Sequence, residues 1–216
     1  MIEYGERTIL FDTGNSGSIL LQNMALLGVD PHAIEIVVLS HIHGDHTNGL
    51  FALLDEGISP TAYVPSGFPS WFVERVGARC HLIEVADPTE IVPGVHSTGP
   101  LYGGVVEQGI AVETARGTVV VVGCVHPGIV RMVERAKEVV DGEVELVVGG
   151  FHLLRSSESR VLGVIEGLRE LGVRRACPTH CTGDEAIALF AAEFGPSYVQ
   201  GGAGRVIRIP AAPDDG

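Results

Sequence analysis

Basic residues are scarce in this chain: 14 Lys and Arg stand against 27 Asp and Glu, a formal net charge of −13 over 216 residues. Binding a polyanion requires a basic track that releases counterions, so this balance argues against nucleic acid as the main substrate. Cysteine is scarce too. Cys80, Cys124, Cys177 and Cys181 are too few and too dispersed for a disulfide framework in a chain this long, and they are read as thiols. Cys177 and Cys181 lack the matching second pair that a structural zinc clasp needs. Long apolar runs are missing as well. The 45% hydrophobic share is spread over short Val, Ile and Leu stretches, none near the roughly 18 residues of a membrane span. The start, Met1-Ile2-Glu3-Tyr4-Gly5-Glu6, is acidic where a secretion signal needs a basic region and an apolar stretch. A soluble, cytoplasmic protein is expected, with no membrane partner. Its length suits one compact domain over residues 1–216 that buries about 70% of its unfolded surface.

What the sequence does have is histidine, concentrated in one place. Ile36-Val37-Val38-Leu39 reads as a buried strand and runs into Ser40-His41-Ile42-His43-Gly44-Asp45-His46, which holds three of the chain's nine histidines. Histidines two apart on an extended loop point to the same side. His41 and His43 are therefore placed to grip one cation, while Asp45 and His46 face a second position. The competing reading is a polar turn in which Asp45 caps the next helix. The layout recurs: strands over 118–122, 143–148 and 174–177 are followed by Gly123-Cys124-Val125-His126, Gly149-Gly150-Phe151-His152 and Pro178-Thr179-His180. Four apolar strands thus deliver His41, His126, His152 and His180 just past their carboxyl ends, the edge where sites assemble in layered α/β architectures.

The rest of the chain reads as alternating elements. Residues 7–12 form a strand ending in the turn Asp12-Thr13-Gly14, and 16–27 a helix whose apolar positions are Ile19, Leu20, Met24 and Leu27. A helix over 47–54 offers Leu50, Leu53 and Leu54 to the core, and a short strand follows over 61–64. Trp71 and Phe72 either fold onto the core or form a wall of a substrate pocket. Strands over 107–114 and 118–122 make a hairpin through Ala115-Arg116-Gly117. Helices follow over 129–140 and from the serines after Arg155 to about residue 171. Thr182 and Glu185 have the spacing of a capping box before a helix over 186–194, and 198–200 with 205–209 read as a closing hairpin. His81 and His96 stand alone and read as ordinary polar residues.

His41-x-His43-x-Asp45-His46 after an apolar strand, with Leu10-Phe11-Asp12-Thr13-Gly14, Val122-Gly123-Cys124-Val125-His126-Pro127-Gly128, Gly149-Gly150-Phe151-His152-Leu153 and Pro178-Thr179-His180-Cys181-Thr182-Gly183, resembles the metallo-β-lactamase superfamily. Within it the chain is similar to a branch related to dihydropterin-ribofuranosylaminobenzene-phosphate synthase, whose members are usually labelled metal-dependent hydrolases. The likeness covers nearly the whole chain. It implies an α/β (α+β) fold, a four-layer αββα sandwich with metals at one edge of its two sheets. Relatives usually carry an additional N-terminal strand, which this chain is expected to lack.

On this reading His41, His43 and His126 hold one divalent ion and Asp45, His46 and His180 the other. Zinc is the first expectation, and manganese or iron would accept the same donors. A metal-bound hydroxide is the expected nucleophile, with Asp45 as proton acceptor. Asp12 is either a turn residue or, as in the superfamily, a group that orients the site's loops. Many relatives bridge their metals with an Asp where this chain has Cys124, which either ligates a metal itself or leaves the bridge to water. His152 is a general acid or phosphate contact at the rim, or else a loop-fixing group; Arg155 lies beside a helix start that suits an anion. The expected activity is hydrolysis of a small phosphorylated or ester substrate. The branch implies a rival, condensation of a pterin diphosphate with an aminobenzene ribose phosphate, in which Arg155 and the metals hold the departing diphosphate. A metal-holding ligand sensor with little turnover is the third reading.

Overall fold

Two sheets lie face to face in the computed structural model, which describes residues 1–211. The first has the order β1 (Ile2–Tyr4), β2 (Arg7–Phe11), β3 (Ile36–Val38), β4 (Thr61–Pro65), β5 (His81–Val85); β1 runs antiparallel to β2, and the others are parallel. The second contains β6 (Thr89–Val92), β7 (Val95–Ser97), β10 (Ile110–Val112), β11 (Thr118–Val122), β12 (Val144–Gly150) and β13 (Arg175–Thr179). Its order is β13-β12-β11-β10-β7-β6, with β11, β12 and β13 parallel. A small hairpin, β8 (Leu101–Tyr102) with β9 (Val106–Glu107), stands apart from both.

The period-2 alternation of the strands decides which layer each residue enters. Ile36 and Val38 of β3 join Ile9, Tyr63, Val85, Ile91, Val95, Ile110 and Val112 in the layer between the sheets. Val37 and Leu39 point the other way. They meet Met24 of α1 (Gly17–Leu27), Leu50, Leu53 and Leu54 of α3 (Leu50–Asp55), and Phe72 and Val76 of α4 (Ser70–Gly77). On the far side of the second sheet, Val120, Val122, Val144 and Val147 pack against α5 (Ile129–Val139), α6 (Glu158–Glu170) and α7 (Asp184–Phe194). The result is the four-layer αββα sandwich. Among the described residues no helix is long and apolar enough to cross a membrane.

Several local elements differ from expectation. A short strand that the sequence did not mark precedes residues 7–12: β1 pairs Ile2 with Ile9 and Tyr4 with Arg7. The helix over 47–54 is two pieces, α2 (Gly44–Thr47) and α3, because the Gly49 N–H turns away to the Gly14 carbonyl at 3.0 Å. The strand over 107–114 is broken after Glu107, because Gln108 crosses to the first sheet; its N–H bonds the Ser40 carbonyl at 2.9 Å and its amide the Leu39 carbonyl at 2.9 Å. The capping box does not form. Thr182 Oγ1 instead donates to the Thr179 carbonyl (2.6 Å) and accepts from the Phe151 N–H (3.0 Å), tying the β12 and β13 loops together. The closing hairpin is absent as well: the Val199 N–H bonds the Ala176 carbonyl, residues 205–209 form no strand, and Ala211 beyond them bridges Thr114. On α1, Met24 is buried, whereas Ile19 and Leu27 are more than half exposed. Phe72 is in the core and Trp71 lies outside it.

All the elements needed at the site end at one edge. β3, β11, β12 and β13 close at Val38, Val122, Gly150 and Thr179, and His41, His126, His152 and His180 follow.

Candidate metal centre

Two carboxylates, Asp12 largely and Glu107 fully buried, set the floor of this edge. Asp12, held at φ 57 on the loop after β2, accepts the Ser40 N–H (2.7 Å), the Ser40 hydroxyl (2.8 Å) and His46 Nδ1–H (2.6 Å). Ser40 Oγ, having donated to Asp12, accepts from His41 Nδ1 at 2.8 Å. Glu107 does the same work on the other side. It is fully buried and takes four hydrogen bonds, from the N–H groups of Cys124 (2.8 Å), Val125 (2.7 Å) and His126 (2.9 Å) and from His126 Nδ1 (2.8 Å). Each of these imidazoles therefore has its Nδ1 engaged. A neutral ring with Nδ1–H donated outward presents a bare Nε2 inward, the tautomer that ligates a cation. Close backbone approach makes this possible: a Cβ at Gly123 would overlap the Ser40 side chain and come within 3.0 Å of Glu107 Oε1.

The inward-facing atoms form two groups. In one, His41 Nε2 stands 3.1 Å from His43 Nδ1, and the ring of His126 lies 4.8 Å from each of those rings, centroid to centroid. In the other, His46 Nε2 is 3.2 Å from His180 Nε2, and Asp45 Oδ2 lies 3.4 Å and 3.2 Å from those two nitrogens. Cys124 Sγ sits between the groups, 3.3 Å from His46 Nε2, and its donor atom lies within 4.8 Å of those of Asp45, His46 and His180 and of His41 and His126. His41, His46 and Cys124 are buried, whereas His43, Asp45 and His180 reach the surface. The six histidine and aspartate residues named for the two ions are thus brought together, with Cys124 at their centre and Asp12 beneath them.

The electrostatics favour neutral imidazoles on one side. Burial, and then the charges of His46, His126, His43 and His180, push the His41 pKa down to about 2. Burial also lowers that of His46, but its hydrogen bond to Asp12 and the charges of Asp12, Asp45 and Glu107 outweigh this, leaving it raised. The thiols split in opposite directions. Cys124 is raised by its hydrogen bond with Cys181, by burial and by the nearby carboxylates, and Cys181 is lowered by that same bond and by the His152 donors.

His152 is exposed at the mouth, with φ 52, and its ring lies 4.6 Å from that of His126. Arg155 is also exposed, has φ 64, and forms no ion pair among the described residues. His96 is engaged elsewhere, bonding Glu113 at 2.8 Å, and His81 is exposed on β5. Sequence reasoning missed Glu107 and Ser40. The one signal for Glu107 was a carboxylate closing the short, otherwise apolar run Val105-Val106. A cavity of about 450 Å³ opens beside the second group, lined by Asp45, His46 and His180, by Phe11, Ile19 and Leu20, and by Gly123, Gly149 and Gly150.

The donor set suits a divalent cation. Imidazole nitrogens 3.1–3.2 Å apart, with a carboxylate and a sulfur in reach, match the ligands that zinc and related ions take.

Comparison with known proteins agrees. The family model described as the metallo-beta-lactamase superfamily matches residues 1–180. A 7,8-dihydropterin-6-methyl-4-(beta-D-ribofuranosyl)-aminobenzene-5'-phosphate synthase from Methanocaldococcus jannaschii is 32% identical, over 94% of this chain and 85% of that protein. The crystal structure of Tm1679, a metal-dependent hydrolase of the beta-lactamase superfamily, superposes with a TM-score of 0.81 at 28% identity, over 94% of this chain and 89% of that one. A metallo-beta-lactamase fold protein from Bacillus subtilis, YhfI, shares the fold with a TM-score of 0.66 at 15% identity, over 94% and 87%. The signature residues, the sandwich and these matches agree: the chain belongs to the metallo-beta-lactamase superfamily.

Proposed function

We propose that the protein is a dinuclear metal-dependent hydrolase of small phosphorylated or ester-bearing molecules. His41, His43 and His126 would hold one divalent ion and Asp45, His46 and His180 the other, with zinc the best match to the donors. The observation that carries this reading is the convergence of both donor groups on Cys124, next to the cavity that opens on Asp45, His46 and His180. The chemistry that such ions supply when bound is Lewis acidity toward a phosphoryl or carbonyl oxygen, and water made acidic enough to attack near neutral pH.

The chain's own residues do the rest. Asp12, Ser40 and Glu107 fix the rings and their tautomers before any ligand arrives. Asp45 is exposed at the mouth and takes the proton of the attacking water. His152, held over His126, hands a proton to the leaving group. The glycines of the β11 and β12 ends let a substrate approach bare backbone, and Phe11, Ile19 and Leu20 give it an apolar side. At about 450 Å³ the cavity suits a small molecule, and the charge of −13 disfavours a polyanion.

A second reading rests on the 32% identity to the pterin-related synthase. In it the site would hold a departing diphosphate, with Arg155, exposed on the loop after His152 and without an ion pair among the described residues, as the basic contact. The test is to load the purified protein with Zn²⁺ or Mn²⁺ and incubate it with a phosphodiester panel, and separately with dihydropterin diphosphate and aminobenzene ribose phosphate. Turnover of phosphodiesters alone supports the hydrolase, and a condensed product from the second mixture supports the synthase. Tight binding with turnover of neither would overturn both in favour of a sensor.

A further inference from the structure

Beyond the two donor groups stands a third cluster that has only Cys124 in common with them. Cys124 Sγ, Cys181 Sγ and a ring nitrogen of His152 all lie within 4.8 Å of one another. We propose that this corner is a third cation site, filled by a thiophilic ion such as Zn²⁺ or Cd²⁺ through Cys124, Cys181 and His152. The inference does not depend on the paired ions, although it shares the sulfur that lies between them.

The corner is built rather than accidental. Cys181 is fixed by its carbonyl, which accepts the Leu154 N–H at 3.1 Å, and its sulfur meets the Cys124 carbonyl at 3.7 Å. Phe151 is tied to Thr182 Oγ1, and the Gly150 N–H to the Gly123 carbonyl at 2.9 Å, so the three strand ends carrying these donors are bonded to one another. Gly150 has no room for a side chain, since a Cβ there would stand 2.7 Å from Cys181 Sγ. His152 holds a left-handed φ of 52, a conformation that persists only where the surroundings impose it, and a ring nitrogen lies within 4.8 Å of both sulfurs. Sulfur and imidazole donors around one zinc-sized ion stand about 3.3–3.8 Å apart, so the cluster closes by side-chain shifts of about 1 Å.

The chemistry separates this corner from its neighbours. The inner groups are imidazole and carboxylate with at most the one sulfur of Cys124, whereas this one offers two sulfurs and no carboxylate. Two thiolates and an imidazole select soft ions over oxygen-seeking ones. Both thiols give up their protons on binding. Its mouth is open, with His152 exposed and Cys181 half-buried, so an ion reaches it from solvent without passing the buried His41 and His46. Filling it takes the nitrogen with which His152 would protonate a leaving group, so a thiophilic ion held there opposes turnover.

The test titrates Cd²⁺ into reduced, chelator-stripped full-length protein, comparing wild type with Cys181→Ser. Circular dichroism checks that both are folded. The wild type is expected to take up one equivalent more than C181S by equilibrium dialysis, and its thiolate-to-cadmium charge-transfer absorbance should be about twice as strong. Equal uptake and equal absorbance would overturn the third site, and so would loss of all bound cadmium in C181S. The equivalents left in C181S report separately on the paired ions: one instead of two, with the one-equivalent difference intact, contradicts the dinuclear reading and leaves this inference standing. If C181S does not fold, His152→Asn carries the same comparison, with one equivalent lost.

Discussion

Replacing Glu107 by Gln changes one atom and removes the acceptor on which the Cys124–His126 loop is hung. The carboxylate is fully buried and accepts two hydrogen bonds at each oxygen, from Cys124 and Val125 on one and from His126 N and Nδ1 on the other. An amide cannot accept at its nitrogen, so two donors lose their partner whichever way it turns. With hydrogen bonds to a charged acceptor contributing about 1.5–3 kcal/mol each, the loss is about 3–6 kcal/mol. In a chain of this length that lowers Tm by on the order of 10 °C. The damage extends to the site. If the amide faces His126, the ring keeps a hydrogen bond only by accepting at Nδ1, which moves its proton to Nε2 and blocks the atom that faces the donor group. Metal affinity should then fall about 10- to 100-fold. Thermal unfolding of the metal-free protein and a competitive zinc titration measure the two effects. An E107Q protein with Tm within about 2 °C of wild type and unchanged zinc affinity would refute the role assigned to Glu107.

Three further outcomes follow from the same geometry. The stability of the metal-free protein should peak near pH 6.5. His41 has a folded-state pKa of about 2 against an ordinary 6.5, so between those values the unfolded chain binds the extra proton, and stability rises with pH by up to about 1.4 kcal/mol per unit. His46 is raised, so its contribution is complete below 6.5 and is lost as pH climbs through its folded value. Denaturant midpoints from pH 4 to 9 check this; an acid limb of the same steepness in His41→Asn would contradict it. Gly123→Ala should cost about 1–3 kcal/mol and weaken metal binding, because the added methyl overlaps Ser40 and crowds Glu107; a neutral effect on unfolding would show that the loops separate freely. His152→Ala should lower turnover about 10²- to 10⁴-fold while the two ions of the inner groups remain, read by rates alongside elemental analysis; loss of those ions would make His152 one of their ligands.

The layered fold was legible through the resemblance that the signature residues carry, and the apolar runs marked buried strands; which face each residue takes was not, since Val119 and Val121 enter one layer and Val120 and Val122 the other from an unbroken Val run. The convergence of histidines was legible for a physical reason: parallel strands put their carboxyl ends at one edge, whatever the loops then do. What the sequence hid were partnerships made by backbone. Nothing local marks Glu107 as an acceptor for residues 17–19 positions away, or Gln108 as the link that breaks its strand. Thr182 looks like a cap by spacing, but the Phe151 N–H competes for its hydroxyl and wins. β1 was missed because three residues with one acidic side chain carry too little pattern; its pairing with β2 makes it a strand.

The most direct measurement is anomalous X-ray scattering at the zinc edge from crystals of the zinc-loaded protein. The account predicts a peak enclosed by His41, His43 and His126 and another by Asp45, His46 and His180, on either side of Cys124. Zinc found at neither group, or no zinc at all in crystals grown with a saturating excess, would contradict it.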